Sequence, residues 1–390
     1  MKNLLFLVCI CLFSCQKSVD VQQAPKQEEK ISKDPQVCDF GITEFNTTKR
    51  APVADEFNSM KGKPSGGGNN QTSTSSGGSV IYLDFDGAYV SGTMWNYSGN
   101  LASANLTTAQ VAEIVNRVSN DYSPFNVTVT TNQADYDAAN RYKRIKVIVT
   151  ETWEWYGKVG GVSYIGSFTW GDNTPSFVFS LLLNYNVKYI SEAISHEAGH
   201  TLGLYHQSKY DASCTKLSEY NSGVGSGETG WAPIMGVGYY QNETLWHNGQ
   251  SGNGCSSMQD DVAIITSALG GAKADDYSNT TNNAKPLSGT LDGLINNNKD
   301  VDFFYVDNTT SKTISVLPFS VGANNAGANL DLVLKVYSNS GALVSTINDP
   351  ALLSASTTLA PGKYYLSVST ASNQYANNYG MLGRYNITIQ

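Results

Sequence analysis

Histidine is scarce in this chain, with four among 390 residues. Charge is sparse as well: Asp, Glu, Lys and Arg make up 15%, and the net charge is -8. No basic stripe stands out, and without a basic face the chain is not a nucleic-acid binder. Long apolar runs are missing too. Residues 4–13 form an apolar stretch well short of the ~20 residues that cross a bilayer, and nothing downstream approaches that length. Of six cysteines, Cys9, Cys11 and Cys15 crowd the N-terminus, which leaves Cys38, Cys214 and Cys255, an odd number. What is plentiful is Gly, Asn, Ser, Thr and Tyr, with 41% hydrophobic residues over a length that allows two cored domains.

The N-terminus reads as an export signal: Met1-Lys2-Asn3 is a short positive region ahead of the apolar run. The run ends in Leu12-Phe13-Ser14-Cys15, which resembles the bacterial lipoprotein box, whose cysteine is acylated and becomes the new N-terminus. That resemblance implies a signal peptide over 1–14, lipidation at Cys15 and anchoring to the outer membrane, outside the cytoplasm. The alternative is an ordinary signal peptide with an incidental cysteine. Gln16-Lys17 followed by Asp20 loosely resembles the signals that send Bacteroidota-type lipoproteins to the cell surface.

Residues 15–78 are polar and end in a Gly/Ser/Asn run from Pro64 to Gly78. They read as a flexible stalk or a short pro-segment, with only the stretch around 34–60 apolar enough to dock. From 79 to 270 strand and helix patterns alternate, giving an α/β (α+β) domain. Val80-Ile81-Tyr82-Leu83-Asp84-Phe85 is a buried-strand run. Thr107 or Thr108 caps a helix with Val111, Ile114, Val115 and Val118 on one face. Strands are expected at 127–130, 145–150, 162–165 and 177–179, and helices at 189–202 and 258–269. A Gly/Asn/Thr/Asp hinge over 270–286 leads to residues 275–390. There, short alternating strands at 303–306, 313–317, 331–337, 363–368 and 384–389 predict an all-β sandwich.

Three of the four histidines fall in one stretch, His196-Glu197-Ala198-Gly199-His200-Thr201-Leu202-Gly203-Leu204-Tyr205-His206. His at i and i+4 share a helix face, so both imidazoles reach one Zn2+. Glu197 projects beside the metal, where it can take a proton from water. Gly203 lets the backbone leave the helix, so that His206 returns as third ligand. Three protein ligands leave a fourth position open, the mark of a catalytic zinc site. A chance match to the whole pattern is on the order of one in ten thousand.

The pattern H-E-x-x-H-x-x-G-x-x-H resembles the metzincin clan, most closely its matrixin- and reprolysin-like members, over residues 80–270. The resemblance implies a twisted mixed five-stranded sheet with an active-site helix, and hydrolysis of peptide bonds in extracellular proteins, with Glu197 as general base and acid. Ala232-Pro233-Ile234-Met235-Gly236 is similar to the clan's Met-turn, with Met235 beneath the ligands. Gly161-Val162-Ser163-Tyr164-Ile165 is similar to its edge strand, and this implies that Ser163, Tyr164 and Ile165 pair with substrate; otherwise they form an interior strand. Tyr239 is read as a pocket wall. Pro35-Gln36-Val37-Cys38-Asp39-Phe40-Gly41 faintly resembles the matrixin cysteine switch, implying that Cys38, or Asp39 by its carboxylate, holds the enzyme latent. The other reading of Cys38 is a thiol kept for another chain.

Cys214 and Cys255 flank the segment after the histidine motif and are expected to pair. His247 reads as a solvated loop residue. The last domain, through Asp300-Val301-Asp302-Phe303, Asn329-Leu330-Asp331-Leu332 and Pro361-Gly362-Lys363-Tyr364-Tyr365, resembles the bacterial pre-peptidase C-terminal domain. Asp300, Asp302 and Asp331 are candidate Ca2+ ligands. The competing function is a cell-surface adhesin or glycan-binding lipoprotein with a vestigial zinc site, against which Glu197 argues.

Overall fold

A computed structural model of the protein describes residues 36–40, 45, 47–51, 53 and 78–390. The signal peptide and Cys15 lie outside the described residues. No helix among the described residues is long and apolar enough to cross a membrane.

The apolar run after residue 79 becomes β2 (Ser79–Asp84), buried along its whole length. It has to be, because it lies inside a sheet covered on both faces. The strands are β1 (Val37–Phe40), β2, β3 (Val127–Thr130), β4 (Arg144–Thr150), β5 (Gly161–Tyr164) and β6 (Ser176–Phe179), in the order β1-β5-β6-β4-β2-β3. The four strands β6, β4, β2 and β3 run parallel, while β5 and β1 are antiparallel to their neighbours. Helix α1 (Thr108–Asp121) starts at a capping box in which Thr107 and Gln110 satisfy each other's backbone. Val111, Ile114 and Val118 are its buried stripe. Helix α2 (Gln133–Ala138) went unread in the sequence, since six residues are too few to show a period. Helix α3 (Val187–Thr201) carries the histidine motif and is buried from Ile190 onward. Beyond it come β7 (Trp231–Pro233), its parallel partner β8 (Glu243–Leu245) and α4 (Asp261–Leu269).

Two expectations are corrected here. The sheet has six strands instead of five, and the extra one comes from the segment read as stalk or pro-segment. Strand β1 pairs antiparallel with β5, Val37 opposite Tyr164, Cys38 opposite Ser163 and Phe40 opposite Gly161. Ile165 extends the ladder by donating its N–H to Gln36 O at 2.9 Å. Ser163, Tyr164 and Ile165 therefore do not lie on an open edge. An edge strand exposes a row of unpaired amides and carbonyls, and a nearby β-forming Val-Cys-Asp-Phe stretch satisfies them.

Residues 285–389 build two facing sheets around a second core. One is β9 (Lys285–Pro286), β11 (Asp302–Asn308), β16 (Gly362–Thr370), β13 (Leu332–Ser338) and β14 (Leu343–Ile347), in that order; the other is β10 (Thr290–Ile295), β17 (Gly383–Ile389), β12 (Lys312–Pro318) and β15 (Ala355–Leu359). The expected hinge is fastened at its start to both cores. Asn126 donates to Gly271 O at 3.1 Å, Lys273 N to Pro124 O at 2.8 Å, and Asn296 Nδ2 to Lys273 O at 3.0 Å. Backbone polar groups in a covered connection must find partners, and these take them from both cores.

One buried contact between the cores is at Asp121, the last residue of α1. Its carboxylate accepts from Ser195 Oγ at 2.5 Å on α3 and from Asn329 Nδ2 at 2.7 Å on the sandwich. Burial, and then the charge of Glu192, push it up to about 7. Between about pH 4 and 7 the folded chain therefore holds a proton that the unfolded chain has lost, so this contribution to stability is full in acid and gone by about pH 7. We expect Asp121→Asn to flatten that slope, worth a few kcal/mol at most, in urea melts taken at pH 5 and pH 8. An unchanged slope would remove Asp121 as its source.

Candidate metal centre

The i, i+4 spacing on α3 brings the rings of His196 and His200 to 4.6 Å between centroids. The helix then ends at Leu202, Gly203 takes φ +107°, and the chain turns back. His206 arrives with its ring 5.2 Å from that of His196 and 4.9 Å from that of His200. All three residues are buried.

Each ring is anchored by its other nitrogen. His196 Nδ1 bonds Ile234 O at 2.8 Å and His200 Nδ1 bonds Leu204 O at 2.7 Å. A carbonyl only accepts, so Nδ1 carries the proton and Nε2 keeps its lone pair. His206 Nδ1 bonds Glu219 Oε1 at 2.9 Å, the carboxylate–histidine pairing that orients metal-binding imidazoles. The three Nε2 atoms are buried without a hydrogen-bond partner. Burial pushes His196 and His200 well below the ordinary histidine value, and the neighbouring rings push them further. Neutral imidazoles with orphaned lone pairs are a donor set that a borderline-soft divalent ion satisfies. Zinc fits these residues.

Glu197 is fully buried. A Cβ added to Gly161 would come within 2.7 Å of its Oε1, so the carboxylate is packed directly under β5. Met235, 29 residues past His206, lies beneath the helix: a Cβ on Gly199 would meet its Sδ at 2.7 Å. Gln207 N donates to Met235 O at 2.7 Å, tying that turn to the third histidine.

Strand β1 reaches into this centre. The Sγ of Cys38 and one ring nitrogen each of His200 and His206 lie within 4.8 Å of one another, and together they could hold a metal. Two residues on, Phe40 stacks on the His196 ring at 4.1 Å between centroids and meets Tyr239 edge-on at 5.0 Å and Tyr220 at 5.7 Å. Tyr239 is buried as a wall of the space that Phe40 fills, and burial, then the charges of Glu192 and Glu197, keep its phenol protonated. The side chain of Asp39 lies outside the described residues.

Sequence reasoning missed Glu219, Phe40 and Tyr220. Glu219 also bonds Lys216 Nζ at 2.7 Å. Burial pulls its carboxyl up, but the bonds to His206 and Lys216 outweigh that and leave it below its ordinary range. Thirteen residues separate it from His206, and only a search for a carboxylate second to each ligand would have found it. Tyr220 packs on the His206 ring at 4.6 Å.

Other expected sites divide. Cys214 and Cys255 form a disulfide with Cα atoms 5.4 Å apart, closing a 41-residue separation that spans Met235. A loop that long is worth about 4 kcal/mol in the chain-entropy account. His247 is less solvated than a loop residue would be. It is half-buried against Trp231, ring centroids 5.0 Å apart, and burial lowers it to about 4. The calcium trio does not assemble. Asp302 gathers with Asp275 and Asp276, ligand oxygens within 4.8 Å, whereas Asp331 precedes β13. That strand is separated from β11 by β16, about 10 Å at ordinary strand spacing.

No protein-family model and no curated protein matches the chain. Among solved structures, it is similar to the pre-peptidase C-terminal domain of collagenase from Bacillus anthracis, at 21% identity over 29% of this chain and 100% of that one, with a TM-score of 0.20. It is also similar to PliG, a periplasmic inhibitor of g-type lysozyme from Aeromonas hydrophila, at 14% identity over 30% of this chain and 100% of that one, TM-score 0.19. Catalytically inactive OgpA from Akkermansia muciniphila, in complex with an O-glycopeptide substrate, matches 80% of this chain and 92% of its own at 9% identity and a TM-score of 0.21.

Proposed function

We propose that this chain is a zinc-dependent endopeptidase of the metzincin type, exported, lipid-anchored at the outer membrane, and held latent by its own strand β1. The observation that carries the reading is three buried imidazoles with ring centroids 4.6, 4.9 and 5.2 Å apart, each Nε2 without a hydrogen-bond partner, beside a buried glutamate. A purely structural metal site has no use for that glutamate.

In this reading His196, His200 and His206 hold the ion, and Glu219, Ile234 O and Leu204 O fix their tautomers. Zinc supplies Lewis acidity to a substrate carbonyl and to water when bound. Glu197 takes the proton from the attacking water and returns it to the leaving amine. Met235 gives the ligands an apolar floor, and β5 presents backbone groups to an extended peptide, as β1 already exploits. Latency follows from β1, because the same ladder cannot pair with substrate while Val37–Phe40 fills it.

The test pairs metal analysis with cleavage of a peptide library, on protein from which the segment before residue 79 has been cut. Glu197→Ala is expected to keep about one zinc per chain and to lose on the order of 10²–10⁴-fold in cleavage rate. Zinc in both proteins with cleavage by neither would favour the adhesin or glycan-binding alternative.

A further inference from the structure

We infer that the slot formed by Tyr185, Asn105 and Gln110 is a binding site for an arginine of an extended peptide. It is filled in this chain by Arg50 and is open to a substrate once the segment before residue 79 has left. Binding at the slot is independent of the histidine centre, while its use by a substrate rests on the peptidase reading.

The slot stands beyond the carboxyl ends of two neighbouring parallel strands, the place where open α/β sheets bind ligands. Glu151 directly follows β4 and Tyr185 comes shortly after β6. Asn105 and Gln110 flank the capped start of α1. The guanidinium of Arg50 lies over the Tyr185 ring, 4.1 Å from its centroid. Its Nη2 donates to Asn105 O and, at 3.3 Å, to Gln110 Oε1. The main chain is held as well. Arg50 N donates to the Tyr185 hydroxyl at 3.3 Å and Val53 N to Asn105 Oδ1 at 2.8 Å, while Asn105 Nδ2 donates to Ala51 O at 3.4 Å. Those three bonds suit any extended peptide. The ring and the two oxygens select a flat cation.

The slot is braced by bonds that do not involve Arg50. The Tyr185 hydroxyl donates to Glu151 Oε1, which also accepts from Asn105 Nδ2 at 3.1 Å, and Gln110 Nε2 donates to Tyr185 O at 3.4 Å. A site whose walls hold one another loses little freedom when a ligand arrives. Asn105 and Tyr185 both take φ +53°. Asparagine tolerates that left-handed backbone, but a bulky tyrosine rarely adopts it. Such conformations persist where their surroundings hold them, and they cluster at ligand sites. Glu151 supplies the sign of charge that a cation needs. Arginine fits better than lysine, since a planar guanidinium stacks on the ring while its nitrogens reach both oxygens. Arg50 comes ten residues after Phe40, so a cut between Val53 and Ser79 frees both together. A substrate running along β5 in the sense of β1 would then bring its own arginine to the slot.

The experiment uses the full chain, cut between Val53 and Ser79 and carrying Glu197→Ala so that bound peptide stays whole. Fluorescent peptides copying residues 36–53 compete with the chain's own fragment, and anisotropy gives their relative affinities. The natural peptide is expected to bind roughly 10-fold or more tightly than its Arg50→Ala version, with Arg50→Lys between the two. These substitutions are in the peptide, so the fold of the protein is unaffected. In a Tyr185→Leu chain the ratio of natural to Arg50→Ala peptide should fall toward one. With Glu197 in place, a fluorogenic substrate bearing that arginine should show a KM about 10-fold below its alanine counterpart at the same kcat. Equal binding of the three peptides would overturn the slot. Preferential binding with no difference in KM would remove its use by substrates. Preferential binding with no cleavage of any peptide would sink the peptidase reading and leave the slot standing.

Discussion

Cutting the chain between β1 and β2, so that Val37–Phe40 can leave, should raise peptide cleavage by about 100-fold or more over the intact protein with no change in zinc content. Two contacts set the size of the effect. Phe40 is fully buried against His196, Tyr220 and Tyr239, and an aromatic side chain buried to that degree stabilises docking by roughly 1.5–3 kcal/mol. At about 1.4 kcal/mol per factor of ten, Phe40→Ala alone should open the cleft by one to two orders of magnitude. Under the latency reading Cys38 would add a thiolate ligand beside His200 and His206, so Cys38→Ala should raise the activity of the uncut chain and the double variant should approach the cut enzyme. The measurement is initial rate on one fluorogenic peptide, with zinc counted in each sample. Equal rates before and after the cut would remove the latency reading and leave the metal centre untouched.

The centre itself was legible because its chemistry is local. Spacing of i and i+4 on one helix, a glycine exit and a returning histidine are all written within eleven consecutive residues, and the rings converge as that spacing requires. The capped helix α1 and the buried strand β2 were legible for the same reason, as periodicity and capping are short-range. What stayed hidden depends on distant pairing. Strand β1 is four residues of ordinary β-forming sequence, and nothing near it says that it will pair with β5 more than 120 residues later. Asp331 and Asp275 look alike as acidic turn residues; the fold gathers the second with Asp302 and keeps the first a strand away from it. The Gly/Asn-rich stretch after α4 has the composition of a hinge, yet composition cannot show that Lys273 and Asn296 will find bonding partners across it.

That last point has the largest consequence for stability. Residues 36–274 made alone should fold poorly, melting roughly 10–20 °C below the full chain or failing to stay soluble. Without the sandwich, Trp231 and Leu245 lose the cover of Ala376 and Met381. Asp121 loses Asn329, Glu243 loses Asn373, and Asp260 loses the hydroxyl of Tyr379. Uncovering large apolar side chains costs about 1.5–3 kcal/mol each and stripping a partner from a buried polar group about 1–3, against a total stability of about 5–15 kcal/mol. A chain of this size loses about 2–4 °C per kcal/mol, which gives the stated range. The loss should also reach the metal. Asp121 holds Ser195 Oγ, and Tyr122 donates its hydroxyl to Ser195 O at 2.9 Å, so the turn of α3 just before His196 is braced from the seam. In the intact chain, Asn329→Ala should therefore weaken zinc retention in competition with a chelator while leaving far-ultraviolet circular dichroism unchanged. A truncated protein that melts with the full chain and holds zinc equally well would show the sandwich to be an appended module instead of a brace for the histidine helix.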